Sequence, residues 1–163
     1  MKAYVFPAGD PDERHRIAVH RLVDADPPRH WSVDVNRQKV AAGDVAFLWQ
    51  TGQRDDPWRP GLWAAGVVYH FNKVLDQHWR DPSLETMYAD LELEWVPIVD
   101  RELVRADAQA NGAMRDCVLV LAQRVRSPLL LRDTERDWLL AQIPSRTRSW
   151  ISKMRQRALG NTE

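Results

Sequence analysis

The sequence from Trp31 to Tyr69, WSVDVNRQKVAAGDVAFLWQTGQRDDPWRPGLWAAGVVY, decides how the rest of the chain is interpreted. It contains two apolar runs, Asp44 to Gln50 and Leu62 to Tyr69, which are rich in the β-branched and aromatic residues that favour strands. The turn residues Ala42-Gly43-Asp44 precede the first run, and the polar, proline-bearing segment Thr51 to Gly61 separates the two. The stretch therefore predicts a strand, a loop and a return strand.

Four of the eight tryptophans of the chain fall in this stretch, at strand ends and loop edges: Trp31, Trp49, Trp58 and Trp63. Packing in the core explains any one of them alone. Four indoles so close together favour a second interpretation, because flat rings with a polar N–H group are what proteins use to sandwich a nucleobase or to cage a cation.

The same residues carry a resemblance to a known family. Its pattern is Trp31-x-Val33-x-x-Asn36, then Gly43-Asp44, then the strand Val45 to Trp49 ending in Gln50-Thr51-Gly52, then Gly61 to Val68. This order resembles the EVE domain, a family of the PUA-like superfamily, whose bent β-barrels include RNA-modification modules and readers of modified bases. The resemblance implies an α+β fold, a bent and mostly antiparallel PUA-like β-barrel with several surrounding α-helices, formed by residues 1–163 as a single domain.

The resemblance also implies a function, that of a non-catalytic nucleic-acid-binding module reading a modified, cytosine-type base in DNA or RNA. The pocket would be an aromatic cage walled by Trp31, Trp49 and Trp63, with its floor at the strand end near Thr51-Gly52. The residues expected to read polar base edges are Asn36, Gln50 and Thr51, and those expected to contact phosphate at the pocket edge are Arg37 and Lys39. Asn36 could equally stabilise its own turn.

Length and charge limit the possible classes of protein. The chain has 163 residues, 44% of them hydrophobic and 28% charged, which is an ordinary globular composition with enough length for a core. Its 23 basic and 23 acidic residues cancel, but five bases follow Pro144 against the single Glu163. We expect an amphipathic helix over about 146–160, which is either a solvated surface or an arm whose Arg146 and Arg148 contact phosphate.

The remaining segments give coarser expectations. Cys117 is predicted to be a small buried hydrophobe, and Asp44 a turn residue that binds its own backbone. Residues 71–82 are predicted to form a short helix or an excursion between strands. The other expected elements are strands at Lys2 to Phe6, Trp31 to Val35, Tyr88 to Ile98 and Pro128 to Leu131, a helix opened by Pro11, and a helix from Glu135 to Ile143 begun by a Thr134/Asp137 capping box.

Familiar enzyme motifs, metal-ligand spacings and cofactor loops are absent from the sequence, so we expect no catalytic residues, metal or cofactor. The chain carries neither an apolar leader nor a membrane-length apolar run, and we expect a cytoplasmic protein that does not enter a membrane. A separate effector protein is an expected partner. Two alternatives stay open: an RNA- or nucleotide-modifying enzyme using Asp44 or Asp34, and a protein-interaction or small-ligand regulatory domain.

Overall fold

The computed structural model describes residues 1–8, 27, 29–33, 39–50, 61–77, 85–96, 108, 110–117 and 128–160. The described strands are β1 (Ala3–Ala8), β2 (His30–Ser32), β3 (Val45–Gln50), β4 (Gly61–Gln77), β5 (Glu85–Trp95) and β6 (Leu129–Leu130). Two described helices follow them, α1 (Asp133–Gln142) and α2 (Ser145–Gly160).

The strands form one six-stranded sheet in the order β2-β5-β4-β3-β1-β6. Strand β1 runs parallel to β3, with Tyr4 opposite Ala46, and the other four pairings of the described sheet are antiparallel. The prediction of an α+β fold with a mostly antiparallel sheet is therefore confirmed. Within the described residues β2 and β6 are the outer strands, so closure of this sheet into a barrel stays a prediction.

Strand β3 is buried on both sides, which is why its residues from Val45 to Trp49 are all apolar. Alternation along the strand sends Val45, Phe47 and Trp49 to one face and Ala46 and Leu48 to the other. The first face packs against residues of α1 and α2 and is called the helix face below. The opposite face contains Trp63 and is called the Trp63 face.

A β-bulge interrupts the ladder between β3 and β4. Leu48 pairs with Ala64, and Trp49 pairs with Leu62, so Trp63 is the extra residue on β4. As a result Trp63 and Ala64, although consecutive, both lie on the Trp63 face, while Leu62 lies on the helix face.

Strand β4 is longer than predicted. It continues to Gln77, so the expectation of a helix or excursion beginning at residue 71 is wrong over 71–77. Pairing with β5 resumes after an irregularity between Asn72 and Asp76, where Asp76 lies opposite Thr86. Pairing with β5 gives hydrogen-bond partners to backbone N–H and C=O groups that a short helix would leave unpaired at its ends. The strand is therefore favoured, although the local spacing of apolar residues is helical.

The helix before Pro144 begins earlier than predicted. Arg132 is the N-cap residue of α1, and its backbone N–H donates to the Glu135 carboxylate over 2.7 Å. The predicted Thr134/Asp137 capping box is therefore wrong by two residues, because the acceptor three residues after the cap is Glu135. The basic C-terminal helix is confirmed as α2, which buries Thr147, Ile151 and Ala158.

Other expectations have mixed outcomes. Cys117 is buried as predicted. Tyr4 and Phe6 of β1 and Leu91 and Leu93 of β5 lie on the Trp63 face. The helix opened by Pro11 lies outside the described residues. No helix in the described part of the chain is long and apolar enough to span a membrane.

Candidate nucleic-acid interface

Two of the predicted cage tryptophans lie on the same face of the sheet. Trp31 on β2 and Trp63 on β4 belong to the hydrophobic cluster of the Trp63 face, and both are buried, at 9% and 3% exposure. They lie at different positions along the strand direction. Trp31 pairs with Ala89, which itself pairs with Phe71, whereas the Trp63 carbonyl accepts a hydrogen bond from Val96 N–H over 2.9 Å.

The third predicted cage tryptophan is on the opposite face. Trp49 is 1% exposed and packs in the helix face, in the same cluster as Phe47 and Leu62. Strand alternation is the reason, because residues 47 and 49 must point the same way and Phe47 faces the helices. The structure therefore brings Trp31 and Trp63 to one face and separates Trp49 from them.

Buried polar groups accompany the indoles on the Trp63 face. The Tyr4 side chain is fully buried there, and its hydroxyl makes no hydrogen bond among the described residues. Burial, and secondly the charge of Asp44, raises the pKa of Tyr4 to about 12. Gln50 is buried at the end of β3, opposite Ala8 and Gly61, and alternation places it on the face of Leu48.

Asp44 forms the turn that the sequence predicted. Its carboxylate accepts a hydrogen bond from Ala41 N–H over 3.0 Å, and its own N–H donates to the Ala41 carbonyl over 3.1 Å. Burial raises the pKa of the Asp44 carboxyl, and the hydrogen bond from Ala41 and the charge of Lys2 oppose that shift. The expectation that Asp44 binds its own backbone is confirmed.

Three predicted phosphate contacts are described, and they differ in what their side chains do. Lys39 is exposed at the turn before Val40. Arg148 donates from Nη1 to the carbonyls of Leu140 and Ile143, over 3.1 and 2.8 Å, and so caps the C-terminal end of α1. Arg146 is exposed in the first turn of α2. The predicted residues Asp34, Asn36, Arg37, Thr51 and Gly52 lie outside the described residues.

Sequence reasoning did not single out Trp95, which sits beside Arg146. A surface pocket of about 420 Å³ is lined by both, together with Pro27, Leu93, Glu94, Pro144 and Thr147. Fifty-one positions separate residues 95 and 146, so no local sequence pattern could have joined them. The described part of the chain holds no group of three or more side chains suited to a metal ion.

Comparison with solved structures supports the fold. The chain is similar to the crystal structure of the DUF55 domain of human thymocyte nuclear protein 1, with a TM-score of 0.51 and 14% sequence identity over 85% of this chain and 96% of that chain. No family model matches the chain, and no curated protein matches it. The chain thus shares its fold with that domain, while membership of the EVE family stays a prediction.

Proposed function

We propose that this domain binds nucleic acid without catalysing a reaction on it, and that it reads a modified, cytosine-type base. The base would leave its stack and stack on the indole of Trp63, on the Trp63 face of the sheet. A flipped base is held by stacking and by hydrogen bonds to its polar edge. The fold shared with the DUF55 domain is compatible with this proposal.

The observation that carries the proposal is the buried hydroxyl of Tyr4. Buried polar groups in proteins almost always have a hydrogen-bond partner, and an exception calls for an explanation. Here the hydroxyl lies on the face of both indoles and makes no hydrogen bond among the described residues. An incoming base offers ring nitrogens, a carbonyl and an amino group, any of which could pair with it.

The contacts of Asp44 favour binding over catalysis at this face. Its carboxylate already accepts the Ala41 N–H and holds the turn before β3. The hydrogen bond that holds this turn is a sufficient reason for Asp44 to be present, and no catalytic role is needed to explain it.

The direct test is fluorescence anisotropy with labelled oligonucleotides. The panel is single- and double-stranded DNA and RNA, each with unmodified, methylated or hydroxymethylated cytosine at one position. We expect one modified oligonucleotide to bind at least about tenfold tighter than its unmodified counterpart, a difference of about 1.4 kcal/mol. Trp63→Phe and Tyr4→Phe should each reduce that preference, since each removes part of the base contact.

The matched control is Trp49→Phe, which makes the same change on the helix face. It should lower stability but leave the preference for the modified base intact. If Trp49→Phe removes the preference as fully as Trp63→Phe, the base does not bind at the Trp63 face. If all members of the panel bind weakly and alike, the domain reads no modification, and the interaction-domain hypothesis replaces this proposal.

A further inference from the structure

The five basic residues of α2 fall into two groups with different contacts. Arg148 and Arg155 donate to backbone carbonyls, Arg148 to Leu140 and Ile143 and Arg155 to Gly43 over 3.0 Å. These two arginines attach the helix to its neighbours. The other three, Arg146, Lys153 and Arg157, are all exposed.

Helical geometry places the second group in one line. With 100° between successive residues, Arg146, Lys153 and Arg157 lie within about 40° of one another around the helix axis. The buried residues Thr147, Ile151 and Ala158 occupy the other side. The helix contains no acidic residue, so no carboxylate of its own reduces the charge of this line. We call Arg146, Lys153 and Arg157 the basic stripe.

The length of the basic stripe suits a nucleic-acid backbone. Eleven residues separate its ends, which at 1.5 Å per residue is about 16 Å. In a B-form duplex the phosphates of one strand advance about 3.4 Å per nucleotide along the duplex axis, so the stripe matches the axial length of roughly five nucleotides. Three cations at such intervals can each neutralise a phosphate of one continuous strand.

The stripe leads into the pocket described above. Arg146 belongs to both, and the pocket is also lined by Leu93 and Trp95 of β5 and by Pro27. It is an open surface depression of about 420 Å³ with mainly apolar walls.

We propose that the basic stripe and this pocket, whose Leu93 and Trp95 belong to the hydrophobic cluster of the Trp63 face, form a nucleic-acid contact in addition to the base-reading residues Trp63 and Tyr4. A single strand would lie with its phosphates on Arg146, Lys153 and Arg157, and one unstacked base would enter the pocket beside Trp95. The proposal rests on the proposed function in that the ligand is a nucleic acid. It adds a site that binds the strand irrespective of base modification, and so supplies affinity rather than selectivity.

The test is the salt dependence of binding to an unmodified single-stranded oligonucleotide. Each phosphate contact on a single strand contributes about 0.7 to the slope of log affinity against log salt concentration. The triple variant Arg146→Gln/Lys153→Gln/Arg157→Gln should therefore lower the slope by about 2 and weaken binding more than tenfold at 0.1 M salt. Arg146→Lys, which keeps the charge, should retain most of the affinity.

A matched single change controls for net charge. Arg115 is exposed and lies outside α2, so Arg115→Gln removes one positive charge away from the stripe. It should alter the slope less than Arg157→Gln does. At the pocket, Trp95→Leu should weaken binding about tenfold with the slope unchanged, because stacking is not electrostatic, and Trp95→Phe should retain most of the binding.

The outcomes separate this proposal from the preceding one. If the triple variant keeps the wild-type slope while the preference for a modified base persists, the stripe is not a contact and the proposed function stands. If the stripe variants lower the slope but no member of the panel is preferred, the second contact exists and base reading fails. Failure to bind any oligonucleotide, with binding to polyglutamate instead, overturns the stripe proposal in favour of an acidic protein partner.

Discussion

The Arg155 Nε atom donates a hydrogen bond to the Gly43 carbonyl over 3.0 Å, which joins the C-terminal helix to the turn before β3. Gly43 is held from other directions as well. Its N–H donates to the Val68 carbonyl over 2.8 Å, and its φ of 82° lies in the left-handed region. A Cβ at this position would come within 2.9 Å of the Leu159 side chain. The turn and the helix therefore stabilise each other.

Gly43→Ala should lower the free energy of unfolding by about 1–3 kcal/mol, because it adds left-handed strain to the steric conflict with Leu159. Combining Gly43→Ala with Leu159→Ala should recover the part of the lost unfolding free energy that comes from the steric conflict, while the part that comes from backbone strain should remain. Urea unfolding of both single variants and the double variant measures the two parts. Gly112→Ala is the control, since no atom lies within 4 Å of its added Cβ and its φ is not positive. A Gly43→Ala variant as stable as the control would contradict this account.

Gly66 is constrained by a neighbouring strand rather than by its φ. A Cβ there would lie 1.8 Å from the backbone carbonyl oxygen of Glu92 on β5, and backbone atoms of a paired strand cannot move aside as a side chain can. We expect Gly66→Ala to cost about 3 kcal/mol or more, and so to lose cooperative unfolding or soluble expression. A variant that unfolds in urea at the wild-type midpoint would show that β4 and β5 are farther apart at Gly66 than the 1.8 Å distance implies.

The strands could be predicted from sequence because burial leaves local patterns. The runs at β3 and at the start of β4 are apolar. Acidic residues at alternate positions of β5 indicate which of its faces is more exposed. Which face of the sheet each tryptophan occupies could not be predicted so easily. Whether Trp49 or Trp63 faces the helices depends on the bulge between β3 and β4 and on which face α1 and α2 cover, and both are long-range properties. The link between Arg146 and Trp95 is of the same kind.

Replacing Asp44 separates its role in the turn from its charge. The pKa of Asp44 is raised by burial, so its contribution to stability is fully present below the ordinary value of 3.8 and is lost as pH rises through the raised pKa. Above that window the carboxyl therefore contributes less to stability than it does in acid. Asp44→Asn should unfold at an equal or higher urea concentration, because the amide oxygen still accepts the Ala41 N–H. Asp44→Ala removes that acceptor and should cost about 1–2 kcal/mol.

Those two outcomes also bear on the enzyme alternative. A folded Asp44→Asn protein that keeps its oligonucleotide affinity agrees with the turn role. A folded variant that loses a measurable turnover on an RNA or nucleotide substrate would contradict the non-catalytic proposal.

Tyr4 should make the protein less stable at alkaline pH. Its pKa is about 12 in the folded protein, against 10.0 ordinarily, so between these values the unfolded chain loses the phenolic proton while the folded chain retains it. The free energy of unfolding therefore falls as pH rises through this window. Tyr4→Phe should remove that part of the fall and be at least as stable as wild type at pH 7, since it deletes a buried hydroxyl with no described partner.

The charge of Asp44 contributes to the raised pKa of Tyr4, which gives an independent check on the phenol. Asp44→Asn should lower the pKa of Tyr4 below about 12, as followed by the ultraviolet absorbance of the phenolate after subtraction of the Tyr4→Phe titration. An unchanged titration would mean that the Asp44 carboxylate does not act on the hydroxyl.

Arg148 and Arg157 carry the same side chain on the same helix, and the structure predicts opposite phenotypes for them. Arg148→Gln removes hydrogen bonds to the carbonyls of Leu140 and Ile143, which are the open C-terminal groups of α1 and its cap, and should lower the free energy of unfolding by about 1–3 kcal/mol. Arg157→Gln loses only a long contact to the Met154 sulfur at 3.8 Å and should leave stability within about 0.5 kcal/mol. In oligonucleotide binding the order should reverse, with the larger loss of salt slope in Arg157→Gln. Urea unfolding and anisotropy titrations on the same two preparations measure both properties, and equal losses of slope would mean that the two arginines do not differ in their access to phosphate.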